Sequence, residues 1–109
     1  MRIWDLPPEK LCRKHLLGEH REIHALYSIL LHNKKGYRSH PETLRWVNKL
    51  PALFKRHALL TIEMHRRGYQ HHSPLEPTKT GEEEQKDLLH TIEQQEQILK
   101  DKNCDCFNG

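Results

Sequence analysis

The sequence predicts an all-α protein, a single compact domain of three main helices over residues 1–109. A chain of this length holds one domain, since domains most often contain about 100–150 residues. The apolar fraction is low, at 35%, and the charged fraction is high, at 30%, but Leu, Ile and aromatic residues recur at helical spacing in three stretches separated by proline, glycine and polar residues. That pattern indicates a small folded protein with a large wetted surface and argues against disorder.

The first helix is predicted over residues about 8–32. Asp5 is a candidate N-cap, and Pro7 and Pro8 suit the first turn, where a missing N–H group costs nothing. The apolar positions follow helical spacing, so one stripe of the helix is expected to face the core. These positions are residues 12, 16, 23, 26, 27 and 30.

Two carboxylates lie at the margin of this apolar side. Glu19 is on the stripe itself, and Glu22 shares the adjoining stripe with His15. Buried carboxylates need partners, because an unpaired buried charge is costly. From the residues alone, ordinary helix ion pairs are the simplest interpretation. Candidate partners are Arg2, Arg13 and Lys14.

A further ridge of the first helix is basic at both ends. It carries Lys14, Gly18 and Arg21, so a bare backbone lies between two cations. Glycine within a helix costs up to about 1 kcal/mol relative to alanine, so it often marks the close approach of another backbone or of a ligand.

The loop predicted over residues 33–40 is also basic. Lys34, Lys35 and Arg38 flank Tyr37 there. Cations interleaved with an aromatic ring suit phosphate contacts and base stacking, although a plain exposed loop would look much the same.

The second helix is predicted over residues about 41–67, with a kink or break at Pro51. Ser39 or His40 would cap its start, and Gly68 would follow its end. Its inward face is expected to hold Leu44, Val47, Leu50, Leu53, His57, Leu60 and Met64. On such an apolar face, His57 is expected to be a hydrogen-bonded core residue and not a ligand.

The third helix is predicted over residues about 82–100, before a tail at 101–109. Glu82, Glu83 and Glu84 would occupy its first turn, which matches the helix dipole. Its apolar side would be formed by Leu88, Leu89, Ile92 and Leu99. Because its outer face is acidic and rich in glutamine, we interpret this helix as scaffold and not as a DNA-facing element.

The net charge of +3 conceals an asymmetry. Residues 1–80 carry fifteen Lys and Arg against seven Asp and Glu, whereas residues 81–109 carry three against eight. A basic body fits a polyanionic partner such as nucleic acid, and a solvated lysine-rich surface is the alternative. No apolar run approaches the length of about 18 residues that spans a bilayer, and no signal-peptide core precedes the first helix. We expect a cytoplasmic monomer with no membrane contact.

The three cysteines favour reduced thiols over a disulfide framework, because their number is odd and no secretion signal is present. Cys104 and Cys106 could join some of the ten histidines in a zinc site, but a C-x-C pair alone is a weak signal. We therefore expect no metal and no small-molecule cofactor.

The segment Met1-Arg2-Ile3, followed by His15-Leu16-Leu17-Gly18-Glu19-His20-Arg21-Glu22, resembles the pyrimidine-dimer DNA glycosylase family. A second similarity covers Lys55-Arg56-His57 through Arg66-Arg67-Gly68-Tyr69. Together the two blocks extend over roughly residues 1–76. The resemblance implies an all-α domain of three helices with the N-terminal segment packed between them.

The resemblance also implies an activity and a substrate, damaged double-stranded DNA. In the family an α-amine attacks C1′ of the sugar, expels the base and forms an imine, and β-elimination then breaks the strand. Carried over by position, the amine belongs to Met1 and the essential carboxylate is Glu22. Arg2 and Arg21 match arginines that contact phosphate and lesion. The basic residues Lys14, Lys34, Lys35 and Arg38 complete the expected DNA-binding set, with His15, Gly18 and Glu19 supporting the site.

Elementary chemistry fits these roles. A nucleophilic amine must be unprotonated, and an α-amine with a pKa of about 7.7–8.0 loses its proton far more easily than a lysine near 10.4. Neighbouring cations such as Arg2 and Arg21 would lower the amine pKa further. A carboxylate within reach can stabilise cationic character at C1′ and then move protons through imine formation and elimination.

The sequence departs from the family in two places. In the family's bacteriophage enzyme a small hydroxy residue supplies the amine after the initiator methionine is removed, whereas bulky Arg2 here disfavours that removal. The family's aromatic and basic C-terminal segment, which helps to grip the dimer, has no counterpart in residues 102–109. Two alternatives to a glycosylase and lyase therefore stay open. One is a non-catalytic nucleic-acid-binding module, and the other is a metal-binding or protein-interaction bundle.

Overall fold

The computed structural model describes residues 2–36, 39–69, 74–75 and 81–102, and it confirms the all-α fold. A short 3₁₀ turn at Pro8–Lys10 precedes four α-helices, and the described residues contain no strand. No helix within these ranges is long and apolar enough to cross a membrane. The helices are α1 (Arg13–Leu31), α2 (Pro41–Arg45), α3 (Leu50–Arg66) and α4 (Ile92–Asp101).

The start of α1 differs from the prediction. The helix expected from residue 8 is divided, because Leu11 has extended backbone angles and its side chain is buried. The N-cap of α1 is Cys12 and not Asp5. The other end agrees with the prediction, since His32 is the C-cap.

The second predicted helix consists of two helices, α2 and α3. They are separated by residues 46–49, where Asn48 adopts a left-handed φ of 61°. Pro51 therefore lies in the first turn of α3, where its missing N–H group is harmless. The break turns Leu44 and Val47 outward, with 57% and 45% of their surfaces exposed, so their predicted inward placement is wrong.

Two predicted caps are present. The Nδ1 atom of His40 accepts a hydrogen bond from the Glu42 amide at 3.1 Å and so caps α2. At the end of α3, Arg67 is the C-cap and Gly68 follows with a φ of 84°. Glycine adopts that conformation without the strain that a Cβ would add.

The last helix, α4, is shorter than predicted. It begins with a capping box in which Thr91 and Gln94 exchange side-chain and backbone hydrogen bonds of 2.8 and 3.1 Å. The three glutamates at 82–84 precede it in a non-helical segment. That segment leaves Leu88 and Leu89 nearly half exposed, so they do not form the apolar side of the helix.

The segment before α4 instead completes the start of α3. Glu82 donates a backbone hydrogen bond to the Asn48 carbonyl at 2.8 Å and accepts one from the Ala52 amide at 3.2 Å. Gly81 is required beside this contact, because its φ is 119° and a Cβ would lie 2.8 Å from the Asn48 carbonyl oxygen. The first amide groups of a helix have no intrahelical partner. The Glu82 carbonyl accepts a hydrogen bond from one of them, the Ala52 amide of α3.

The core lies between α1 and α3 and is closed by the N-terminal segment and by α4. As the resemblance implied, residues 2–6 are packed among the helices. The core residues are Ile3, Trp4, Leu6, Leu11, Leu16, Ile23, Leu26, Tyr27, Trp46, Ala52, Leu53, Leu60, Met64, Leu75 and Leu99.

Candidate active site

The N-terminal segment is held in place by polar contacts as well as by its apolar side chains. Buried Arg45 donates hydrogen bonds to the Ile3 carbonyl at 3.0 Å and to Asp5 Oδ2 at 2.7 Å. The Asp5 amide donates to Gln95 on α4 at 2.8 Å, and Arg56 on α3 donates to the Leu6 carbonyl at 2.8 Å. Residues 3–6 are thus fixed to three helices, which determines where Arg2 lies.

Arg2 lines a pocket of about 490 Å³ on one side of α1. This volume is within the range of about 300–1,000 Å³ typical of small-ligand sites. The pocket gathers seven of the eleven residues that we predicted for the active site. Its lining consists of Arg2, Trp4, Lys14, His15, Gly18, Glu19, Arg21, Glu22 and Lys102.

Glu19 is the buried carboxylate beneath this pocket, and its partner is none of the three that we considered. Its Oε2 atom accepts a hydrogen bond from Arg56 Nε at 2.6 Å, and Oε1 accepts from Arg56 Nη2 at 3.0 Å. Oε1 also accepts from the Trp4 amide at 3.1 Å. Burial raises the pKa of Glu19, whereas the Arg56 guanidinium and the Trp4 amide act in the opposite sense. Glu19 therefore joins α1, α3 and the N-terminal segment.

Glu22 has a different environment. It is half-buried at the wall of the pocket, one helical turn after Glu19. Among the described residues, none donates a hydrogen bond to it or forms an ion pair with it. Its carboxylate is therefore available to a group that the described side chains do not provide.

Four cations surround the pocket: Arg2, Lys14, Arg21 and Lys102. The Arg2 guanidinium is 4.9 Å from the centre of the Trp4 ring, and its Nη1 is 3.1 Å from Nδ1 of His90. Arg21, Lys14 and Lys102 are exposed. A concave surface with this excess of positive charge attracts an anionic ligand.

His15 contributes a neutral polar wall. Burial lowers the pKa of His15 below its ordinary value of 6.5, and the charges of Lys102 and Lys14 lower it further. Its Nδ1 atom is 3.1 Å from the Cys12 sulfur, and its ring stands edge-on to Trp4 with 5.9 Å between centroids. The imidazole is therefore held in one orientation without adding to the positive charge.

Gly18 opens the pocket. No atom outside its own helix lies within 4 Å of the position that a Cβ would occupy. The glycine is therefore not explained by a neighbouring backbone. It leaves open space in front of the helix at this point of the pocket.

Four predicted site residues are not part of this pocket. Lys34 and Lys35 are exposed beyond the far end of α1, about 14 Å or more along the helix axis from Glu22 at 1.5 Å per residue. Met1 and Arg38 lie outside the described residues.

Two lining residues were missed by the sequence analysis. Trp4 follows Arg2 by two residues, and this arginine–aromatic pair at the chain start was the available signal. Lys102 had no such signal, because α4 is acidic and was interpreted as scaffold. The end of α4 carries this lysine to the pocket, which corrects that interpretation in part.

A known protein family matches most of this chain. The sequence profile of the family described as pyrimidine dimer DNA glycosylase matches residues 1–77. The matched region includes α1, α2, α3 and every pocket residue except Lys102. The chain has no significant match among curated proteins or among solved structures.

Proposed function

This chain belongs to the pyrimidine dimer DNA glycosylase family, and from that membership we propose that it is a DNA repair N-glycosylase that also cleaves the strand at abasic sites. The proposed nucleophile is the α-amine of Met1, and the proposed carboxylate is Glu22. The single observation that supports these roles is the shared pocket of Arg2 and Glu22. Met1 is bonded to Arg2, and consecutive Cα atoms are only about 3.8 Å apart.

The first chemical step is displacement of the damaged base. The amine nitrogen bonds to C1′ of the deoxyribose, and the bond from C1′ to the base breaks. The proton that the amine loses on bonding is transferred to the departing base. Cationic character develops on the sugar during this step. The Glu22 carboxylate, which has no partner among the described side chains, is suited to stabilise that charge.

The second step is strand cleavage. Opening of the sugar gives an imine between the Met1 nitrogen and C1′. Removal of a proton from C2′ then allows the bond between C3′ and its phosphate oxygen to break. Glu22 is the proposed group that moves these protons, a role that general acid–base groups perform with gains of about 10²–10⁴ in rate. Water finally hydrolyses the imine and frees the amine.

The surrounding cations bind the DNA in this proposal. Arg2, Lys14, Arg21 and Lys102 contact the phosphates that flank the lesion. Lys34, Lys35 and Arg38 are proposed to contact the duplex farther from the lesion. The proposed substrate is damaged double-stranded DNA, with the pyrimidine dimer named by the family as the first lesion to test.

Glu19 is a positioning residue in this scheme. It is buried and already paired with Arg56, so we assign proton transfer to Glu22 and not to Glu19. Its bond to the Trp4 amide instead holds the N-terminal segment against α1. His15 and Gly18 support the site by shaping the wall and by leaving room for the sugar.

Borohydride trapping tests the proposal. The protein should form a covalent adduct with an abasic duplex, and mass spectrometry of the digested adduct should place the DNA on Met1. A variant extended by one residue before Met1 still carries an α-amine but displaces it, so it should trap as poorly as Glu22→Gln. Glu9→Gln, which changes an exposed carboxylate outside the pocket, is the matched control and should trap normally.

Two outcomes would contradict this mechanism. Wild-type trapping by the extended variant would exclude the positioned amine. Salt-sensitive DNA binding without any trapping, unchanged in Glu22→Gln, would instead identify a non-catalytic nucleic-acid-binding module.

A further inference from the structure

A second cluster of polar side chains lies on the opposite flank of α1 from the pocket. Successive residues of an α-helix are rotated by about 100°, so His20 and His24 share one face, away from the ridge of Gly18 and Glu22. That face meets α3, where His57 is buried. From the sequence we expect His57 to be a core histidine, and the structure adds two more imidazoles beside it.

The three imidazoles converge through the same ring atom. The Nε2 atom of His24 is 3.2 Å from Nε2 of His20 and 3.2 Å from Nε2 of His57. The ring centroids are 4.6, 5.0 and 5.0 Å apart, and one nitrogen from each ring lies within 4.8 Å of the other two. Three nitrogen atoms therefore surround a single point between two helices.

Hydrogen bonds between the rings do not account well for the convergence of three Nε2 atoms. A neutral imidazole nitrogen carries either one proton or one lone pair, and which of the two it carries depends on the tautomer. The Nε2 atom of His24 therefore has one proton or one lone pair to share between two neighbours at equal distance. A cation at the centre would use the lone pairs of all three nitrogens at once.

The spacing also fits a particular coordination. Zinc binds histidine nitrogen at about 2.0–2.1 Å with tetrahedral angles, which separates neighbouring donor atoms by about 3.3 Å. The two distances of 3.2 Å agree with that value. Imidazole is a common zinc ligand, and three histidines leave a fourth position for water.

We propose that His20, His24 and His57 bind one Zn²⁺ ion through their Nε2 atoms and thereby cross-link α1 to α3. This departs from our expectation of a metal-free protein and uses a different donor set from the Cys104 and Cys106 alternative. The site is separate from the pocket, and its role is structural: it fixes the helix that carries Glu22 against the helix that carries Arg56. The proposal does not depend on the glycosylase mechanism.

Metal analysis and zinc titration of the full chain, prepared without a polyhistidine tag, test the proposal. The purified protein should contain about one zinc per chain after incubation with Zn²⁺ and gel filtration. Removal of zinc with EDTA should lower the melting temperature by on the order of 10 °C, because a ligand at 100-fold its Kd stabilises a domain of this size by that much. Re-addition of Zn²⁺ should restore it.

Variants identify the ligands. His24→Gln should lose the bound zinc and the zinc-dependent rise in melting temperature, whereas His65→Gln, at an exposed histidine of α3, should keep both. The double variant Cys104→Ser with Cys106→Ser should also keep both. Zinc that is absent from the wild-type protein, or retained by His24→Gln, or lost with the two cysteines, would overturn the proposal.

A spectroscopic measurement covers the case in which His24→Gln folds poorly. In the wild-type protein, Co²⁺ in place of Zn²⁺ should give the visible absorption of a tetrahedral site. NMR should show zinc-dependent shifts of the ring signals of His20, His24 and His57, with His65 unchanged. Shifts confined to other histidines would reject the site without any variant.

Discussion

On one flank of α1, Lys14, Gly18 and Glu22 follow one another at intervals of four residues and line an open pocket. On the other flank, His20 and His24 are also four residues apart, but they face α3 and meet His57. The spacing along the helix is the same on both flanks. The flanks differ in what they face, which is an open pocket on one side and the packed helix α3 on the other. Polar groups that face an open space can be satisfied by water or by a ligand, whereas those that face a packed helix must be satisfied within the protein. One helix thereby separates the proposed catalytic surface from the proposed zinc site.

The largest effects should come from two variants, each of which removes one functional group from one flank of α1. Glu22→Gln should slow strand cleavage by about 10²–10⁴ and change the free energy of unfolding by less than about 0.5 kcal/mol. His24→Gln should do the reverse, with zinc and stability lost and cleavage by the folded fraction retained. Single-turnover cleavage and thermal unfolding of both variants provide the measurements. A loss of the same property in both variants would abolish the distinction.

The next largest effect should come from breaking the ion pair between Arg56 and Glu19, which lies between the two flanks. Arg56→Met should destabilise the protein by about 3–5 kcal/mol, because it leaves the buried Glu19 carboxylate without its charged partner. Lys55→Met is the matched control, since Lys55 forms an exposed pair with Glu83 at 3.4 Å and should cost less than about 1 kcal/mol. Denaturant unfolding measures both. Equal losses would show that the buried pair has no special role in joining the flanks.

On the pocket flank, a smaller change should alter stability and activity in opposite directions. Gly18→Ala should raise the free energy of unfolding by about 0.5–1 kcal/mol, because alanine favours the helix and its methyl group meets no other atom. The same methyl group should slow cleavage, since it occupies space proposed for the sugar. Ala25→Gly, at an exposed position of α1, should lose a similar amount of stability at unchanged activity. Faster or unaltered cleavage by Gly18→Ala would contradict this use of the space.

The smallest effect concerns His15. Its pKa in the folded protein lies below the ordinary value of 6.5, so the unfolded chain binds more protons between the two values. The contribution of His15 to stability should therefore be fully present above about pH 6.5 and should fall as the pH drops toward the folded pKa. NMR titration should give a midpoint below 6.5, and Lys102→Gln should move it upward. A midpoint above 6.5 would show that His15 has gained an anionic neighbour.

The sequence predicted the helical class well because apolar spacing is a local property. Leu16 and Ile23, and likewise Leu53 and Leu60, recur with the period of a helix and are all buried. The ends of the helices were harder to predict. The predicted first helix included Leu11, yet the extended backbone of this residue interrupts the helix.

The glutamates at 82–84 illustrate a second limit. They are typical of a helical first turn. The backbone of Glu82, however, forms hydrogen bonds with Asn48 and Ala52, which lie 34 and 30 residues earlier in the chain. A contact so distant in sequence leaves no periodic trace. Local preference was overruled there by the unsatisfied first turn of α3.

The candidate site divides in the same way. Lys14, Gly18 and Glu22 could be predicted because regular spacing along one helix places them side by side. Arg56 and Lys102 could not be assigned, because each reaches the site from another helix. The histidine cluster was missed for that reason too, since His57 belongs to α3 and its two neighbours to α1.

Because residues 3–6 are anchored, the length of the N-terminal segment limits how far its first residue can lie from Leu6. Each residue of a chain spans at most about 3.3–3.6 Å, so the position of the α-amine is counted in residues back from the Leu6 carbonyl held by Arg56. One added residue would shift the proposed nucleophile by more than the length of a hydrogen bond. Under the proposed mechanism, the number of residues that precede Ile3 would therefore set where the nucleophile lies, independently of any side chain.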